Sequence, residues 1–480
     1  MPTTPNSELS PRKRTPLPKF QLLILLSIQI AEPITGLVIY PFVVQFVRDT
    51  GITGGDEANT GFYAGLLESA FFLAETLTVF HFGRLSDLYG RRPVLLLGPL
   101  GLALSVLGFG LSKSFWALFS FRCAQGAFNG NIGVAKTVMI EISDPSNAAD
   151  MVSFFPVMWS TGATLSPFIG GVLANPAVKW PNTLGKIGVF RVHPYFLPCA
   201  VAASVALASF AFALIGLRET LPSAVARMNQ RKKPVPTTES DPLLAHNEPV
   251  VSERSDVVYI APPLREILTR PVCIAVLNHG LLAFCNMAYE SLLPLVYATP
   301  INMGGLGLKP YEIGLLMGLC GISNAFVQMV FGGRIIRYFG PRRIFNAAFC
   351  ALIFAFFAYP LLNFLAKRAG RVDGAVMGVL VCQLSCSFVL YFAFASTMIF
   401  IMDATPSQAS AGSVNGLAQM VGTTLRGAAP SFASSLFSLS VKHNLVGGYM
   451  VYIILVGLTL GALRGSLLLP RQLRSEIGGN

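Results

Sequence analysis

The sequence predicts an all-α membrane protein: twelve transmembrane helices in two pseudo-symmetric six-helix bundles. Three observations lead there. Of 480 residues, 53% are hydrophobic and only 12% charged, whereas soluble domains carry about 25% charged residues. Mean hydropathy is +0.60, so lipid is the main solvent. Apolar stretches of about 20 residues, enough to cross about 30 Å of hydrocarbon, recur on both sides of one polar central segment. Soluble enzymes, nucleic-acid binders and disordered scaffolds are excluded together.

A basic tail, 1–19, precedes the first span at 20–48, which places Glu32 beside Pro33. Spans two and three, 61–83 and 92–112, are joined by a short Gly- and Arg-rich segment. The fourth, 114–141, contains Arg122 and Gln125; the fifth, 148–174, is rich in Gly and Ser; the sixth is 193–217. Each is expected to be helical, because unpaired backbone groups do not survive in lipid. Residues 218–270, with the run RMNQRKKPVPTTESDPLL, are too polar to bury a core and read as a flexible cytosolic linker. Spans 7 to 12 follow at 271–298, 311–336, 342–364, 374–402, 409–439 and 445–468, with a tail at 470–480. The organisation is therefore a bundle at 20–217, a linker, and a bundle at 271–469.

Lys and Arg fix the expected orientation. Segments sharing a side with the N-terminus, including Arg12, Lys13, Arg14, Arg84, Arg91, Arg92, Arg231, Lys232, Lys233, Arg342 and Arg343, hold about twice as many as the opposite loops. That excess places both termini in the cytosol. The net charge of +12 then follows from topology and is no nucleic-acid footprint. All 8 Cys fall within spans, and the 5 His are scattered; neither a disulfide framework nor a metal site is expected.

The two halves repeat. Gly83-Arg84-Leu85-Ser86-Asp87-Leu88-Tyr89-Gly90-Arg91-Arg92 follows span 2, and Gly333-Arg334-Ile335-Ile336-Arg337-Tyr338-Phe339-Gly340-Pro341-Arg342 follows span 8. Pro167-Phe168-Ile169-Gly170-Gly171 is echoed weakly by Pro430-Ser431-Phe432-Ala433-Ser434. Repeated halves point to alternating access around a site between them.

Three of these stretches resemble motifs of the major facilitator superfamily. Gly83-x-x-x-Asp87-x-x-Gly90-Arg91-Arg92 is similar to its loop motif, and Arg122-x-x-Gln125-Gly126 to its helix 4 motif. Gly162-x-x-x-Ser166-Pro167-x-x-Gly170-Gly171 resembles the helix 5 motif of its proton-driven antiporters, with Ser166 where the pattern has Gly. Glu32-Pro33-Ile34, together with Ser153 ahead of Gly162, resembles the zinc-induced facilitator-like and drug:proton antiporter branch of fungal type. The resemblance implies that Asp87 meets the end of helix 11, and that Arg91 pairs with Glu141 or Asp144 to latch the outward-facing state.

Charge at membrane depth is costly and marks function. Glu32 lies about 18 Å along its helix from Phe20, near mid-bilayer. Glu75, Arg122, Glu290 and Arg426 are the other buried candidates for proton coupling or substrate contact, with Arg122 expected near Glu32; Lys136 is expected to snorkel. The function expected is secondary transport: a proton-coupled antiporter exporting a small molecule or metal complex, as a monomer in the bilayer, with no cofactor, no ATP site and no catalytic constellation. A proton symporter or facilitator, or a non-transporting sensor, are the alternatives. Glu239, Leu243 and Leu244 in the linker resemble an acidic di-leucine signal, which implies a vacuolar or endosomal membrane, with the plasma membrane as the alternative.

Overall fold

The computed structural model describes residues 18–143, 148–221, 224–225, 268–406 and 411–470. The di-leucine segment Glu239–Leu244, both tails, Asp144 and most of the linker lie outside them.

The twelve spans are helical. Span 1 is built from Lys19–Leu37 and Val43–Asp49, span 2 is Thr60–Tyr89, and span 3 is Arg91–Leu111. Span 4 comprises Phe115–Asn129 and Ile132–Glu141; spans 5 and 6 are Ala148–Leu173 and Phe196–Gly216. In the second bundle, spans 7 to 12 are Arg270–Ala298, Pro310–Phe339, Pro341–Ala369, Gly374–Ala404, Ala411–Lys442 and Met450–Ser466. Eight helices among the described residues are individually long and apolar enough to cross a membrane.

Two spans are interrupted, and the interruptions have local causes. Pro33 and Pro41 remove backbone donors on either side of the turns at 38–42, so span 1 re-forms as a second short helix. Span 4 breaks at Gly130–Asn131, just after Asn129. One boundary differs from the expectation. Span 2 continues through Gly83 to Tyr89, so the motif beginning at Gly83 forms its last two turns. Nothing before Gly90 breaks the helix. Gly90 itself turns the chain into span 3 at φ 115°, a conformation that other residues adopt only with strain. Gly340 makes the same turn, at φ 77°, between spans 8 and 9.

Even parity of spans puts both chain ends on one side of the bundles, called here the terminal face. Cross-bundle contacts gather at the opposite, far face. Gly171 of span 5 and Gly314 of span 8 approach so closely that a Cβ on either would lie 2.5 Å from the other's Cα. Between spans 2 and 11, Ser431 donates its backbone N–H to Ser69 Oγ at 2.9 Å, and its hydroxyl to the Gly65 carbonyl at 3.4 Å. Lys442 pairs with Asp56 at 3.2 Å, and Arg48 donates to the Ala298 carbonyl at 3.2 Å. At the terminal face, Asp87 is 63% exposed and Tyr338 is 82% exposed. Among the described residues the far side is closed, and Asp87 and Tyr338 stand exposed on the terminal side.

Candidate functional site: a central charged cluster and its gates

Span 1 carries Glu32 inward, one residue before Pro33, where it is only 7% exposed. Its Oε1 accepts from Asn129 Nδ2 at 3.0 Å, and Oε2 sits 3.5 Å from Gln29 Nε2. Glu75 of span 2, also buried, lies beside the same Asn129. The charged groups facing this carboxyl pair are Lys136 of span 4 and Arg426 of span 11. The break at Gly130 places Asn129 and Lys136 on separate helical segments of one span. Arg426 comes from the second bundle and stacks over Phe394, its Cζ 5.4 Å from the ring centroid. His279 of span 7 lies edge-on to the same ring at 6.1 Å and meets the Thr397 hydroxyl at 3.3 Å. Two acids and two cations, contributed by both bundles, thus converge.

Toward the far face lies a second polar layer. Arg122 is 1% exposed. Its Nη1 donates to the Gly36 carbonyl at 3.1 Å and to Gln125 Oε1 at 2.8 Å, and its guanidinium lies 4.7 Å from the Phe71 centroid. Tyr40 and Glu68 are its polar neighbours, and Glu290 faces both of them from the second bundle. Asn286 donates to Glu290 Oε1 at 3.0 Å.

The structure changes two expectations here. Arg122 belongs to the far layer and bonds carbonyls of spans 1 and 2, so it does not partner Glu32; Asn129 does. Lys136 does not snorkel: it faces Glu32, Glu75 and Arg426. It follows Asn129 by two turns, which on a continuous helix is the same face, and the expectation of snorkelling rested on its depth near the end of the span alone.

At the terminal face Asp87 is bonded to Arg91. Arg91 also pairs with Glu141 at 2.9 Å and with Ser86 Oγ at 2.6 Å. Arg92 donates to the Leu214 carbonyl at 2.7 Å. Glu219, assigned to the linker by composition, takes the backbone N–H groups of Arg91 and Arg92 at 2.8 and 3.0 Å. An acid this close after an apolar span was the signal available in the sequence. In span 5, Gly162 packs on Pro33 and Gly170 on the Val38 carbonyl, while Pro167 and Gly171 face Gly314 across the bundles. Among the described residues no group of three or more His, Cys, Asp and Glu is placed to hold a metal ion.

A family model described as Major Facilitator Superfamily matches residues 25–430. The chain is 30% identical to the major facilitator-type transporter psiT2 of Psilocybe cyanescens, covering 95% of this chain and 91% of that one. It is 27% identical to the protein ZINC INDUCED FACILITATOR-LIKE 1 of Arabidopsis thaliana, covering 90% and 87%. The solved structure of the human organic anion transporter MFSD10 superposes with a TM-score of 0.58 at 20% identity, covering 94% of this chain and 100% of that one.

Proposed function

The chain belongs to the major facilitator superfamily, a family of membrane transporters, and from that premise we propose that it exports a small organic solute from the cytosol in exchange for protons, by alternating access. The carrying observation is the buried pair Glu32 and Glu75, set beside Asn129, which donates to Glu32, and faced across the bundle interface by Arg426. A carboxyl pair in lipid surroundings accepts either protons or the cationic or donor group of a solute, and such mutual exclusion is the requirement for antiport. On this reading the terminal face is cytosolic, as the distribution of Lys and Arg supports, and the conformation is inward-facing. The driving force is the proton gradient, with no bound cofactor, and the transporting unit is the single chain.

Residues 20–217 and 271–469 act as the two moving bundles. Closure at Gly171–Gly314 and Ser69–Ser431 alternates with closure at Asp87, on the opposite side of the central cluster. The transported solute is released toward a vacuolar or endosomal lumen, as the Glu239–Leu244 string supports.

Lys136 and Arg426 favour a second reading. A solute bearing an acid group would displace the carboxylates from these cations, leave them to take up protons, and so travel with protons as a symporter. The neighbour described as an organic anion transporter is in keeping with that alternative. The test is flux into reconstituted vesicles from a panel of labelled organic solutes under pH gradients of both signs. Antiport predicts accumulation on the acidic side. Accumulation on the alkaline side would establish symport, and indifference to the gradient would leave a facilitator.

A further inference from the structure

We infer that Glu219 and Thr220, just beyond span 6, are positioning residues for the latch at the terminal face; the inference rests on the alternating-access reading. Glu219 closes the start of span 3. Its Oε1 accepts from the N–H groups of Arg91, Thr220 and Leu221 at 2.8, 3.1 and 3.0 Å, and its Oε2 accepts from Arg92 N–H at 3.0 Å. The first N–H groups of a helix lack intrahelical partners, and a carboxylate there also meets the positive end of the helix dipole. The carboxylate occupies the space above Gly90: a Cβ on that residue would lie 2.5 Å from Glu219 Oε2. The missing side chain of the turn glycine therefore serves this acid as well as the positive φ.

Thr220 completes the arrangement by donating its hydroxyl to Glu141 Oε2 at 2.5 Å. The other Glu141 oxygen, Oε1, receives Arg91 Nε at 3.1 Å and Nη2 at 2.9 Å. Glu219 thus fixes the Arg91 backbone and Thr220 the counter-ion of its side chain. Arg91 then holds Asp87 in place at the end of span 2. Four spans and the chain leaving span 6 meet in one network whose exposed end is the Asp87 carboxylate.

The internal repeat shows what this adds. In the second copy, Arg342 donates to the Leu467 carbonyl at 2.7 Å, as Arg92 does to Leu214. The ion pairs have no equivalent in the sequence: Arg337 stands for Asp87 and Pro341 for Arg91. The helix-end contact is common to both copies. The ion pairs of Arg91 with Asp87 and Glu141 belong to the first copy, where the latch is.

The test measures the spacing of the terminal face in full-length protein in lipid. Spin-labelled unnatural amino acids at Tyr89 and Tyr338, both exposed, report it by pulsed electron resonance without disturbing the native cysteines. Asp87→Asn is expected to deplete the closed population, which checks the alternating-access reading itself. Glu219→Gln is expected to deplete it about 2-fold to about 30-fold, and Thr220→Val less, in the same direction. On the Asp87→Asn background neither substitution is expected to shift the distribution further, because both act through Asp87. If Asp87→Asn shifts the distribution and Glu219→Gln and Thr220→Val do not, the inference is wrong. It is equally wrong if their full effects persist without Asp87.

Discussion

Replacing Gly171 by Ala adds one methyl group where spans 5 and 8 touch backbone to backbone. The new Cβ would lie 2.5 Å from Gly314 Cα and 2.6 Å from the Pro310 carbonyl oxygen. Neither neighbour is a flexible side-chain tip, so the helices must separate. Overpacking of this kind costs about 1–3 kcal/mol. The cost falls on the far-closed state alone, since these helix ends part when the far side opens. At about 1.4 kcal/mol per tenfold change, the far-closed population drops relative to the far-open one by about 5-fold to about 150-fold. Two spin labels across the far face, one on the loop after span 5 and one on that before span 8, read this ratio in lipid. The expected result is a longer distance component that grows at the expense of the short one. An unchanged distribution in a folded variant would refute the view that Gly171 and Gly314 set far-side closure.

Asp87→Asn removes the charge that meets Arg91 while keeping its size. A helix-terminus interaction of about 0.3–1 kcal/mol is lost from the closed terminal face, and transport slows while solute affinity stays within about 2-fold, measured by flux and equilibrium binding. Arg122→Gln strips the guanidinium donor from the buried Gly36 and Leu67 carbonyls. Leaving a buried acceptor unpaired costs about 1–3 kcal/mol, so the thermal unfolding midpoint in detergent falls, and an unaltered midpoint would show that Arg122 does not hold this layer together. Leu243→Ala with Leu244→Ala moves a fluorescently tagged chain to the cell surface; microscopy showing the same distribution as wild type would remove the sorting role.

The spans and their order were legible because lipid forces each one to be apolar and helical, and the repeat at Gly83 and Gly333 is written in the chain. Buried charges were legible for the same reason: Glu32, Glu75, Glu290 and Arg426 stand out against apolar surroundings. Their partners were not. Arg122 and Asn129 lie two turns apart on one face of span 4, so which of them meets Glu32 depends on how far span 4 is shifted along span 1, and no spacing rule carries that information. Lys136 was misplaced because its depth near the end of span 4 was weighed and its face, shared with Asn129 two turns earlier, was not. Glu219 escaped because its role is set by backbone N–H groups of span 3, remote in sequence, while its neighbours give the local composition of a linker.

The central claim is that a proton and a solute exclude each other at the Glu32–Glu75 pair. The direct measurement compares wild type with Glu32→Gln in vesicles, for a solute that wild type accumulates against its gradient when the lumen is acidic. Glu32→Gln mimics the protonated carboxyl permanently. It is expected to lose gradient-driven accumulation while retaining exchange of labelled for unlabelled solute across the membrane. Accumulation by Glu32→Gln equal to that of wild type would contradict the claim and leave Glu32 as a structural partner of Asn129.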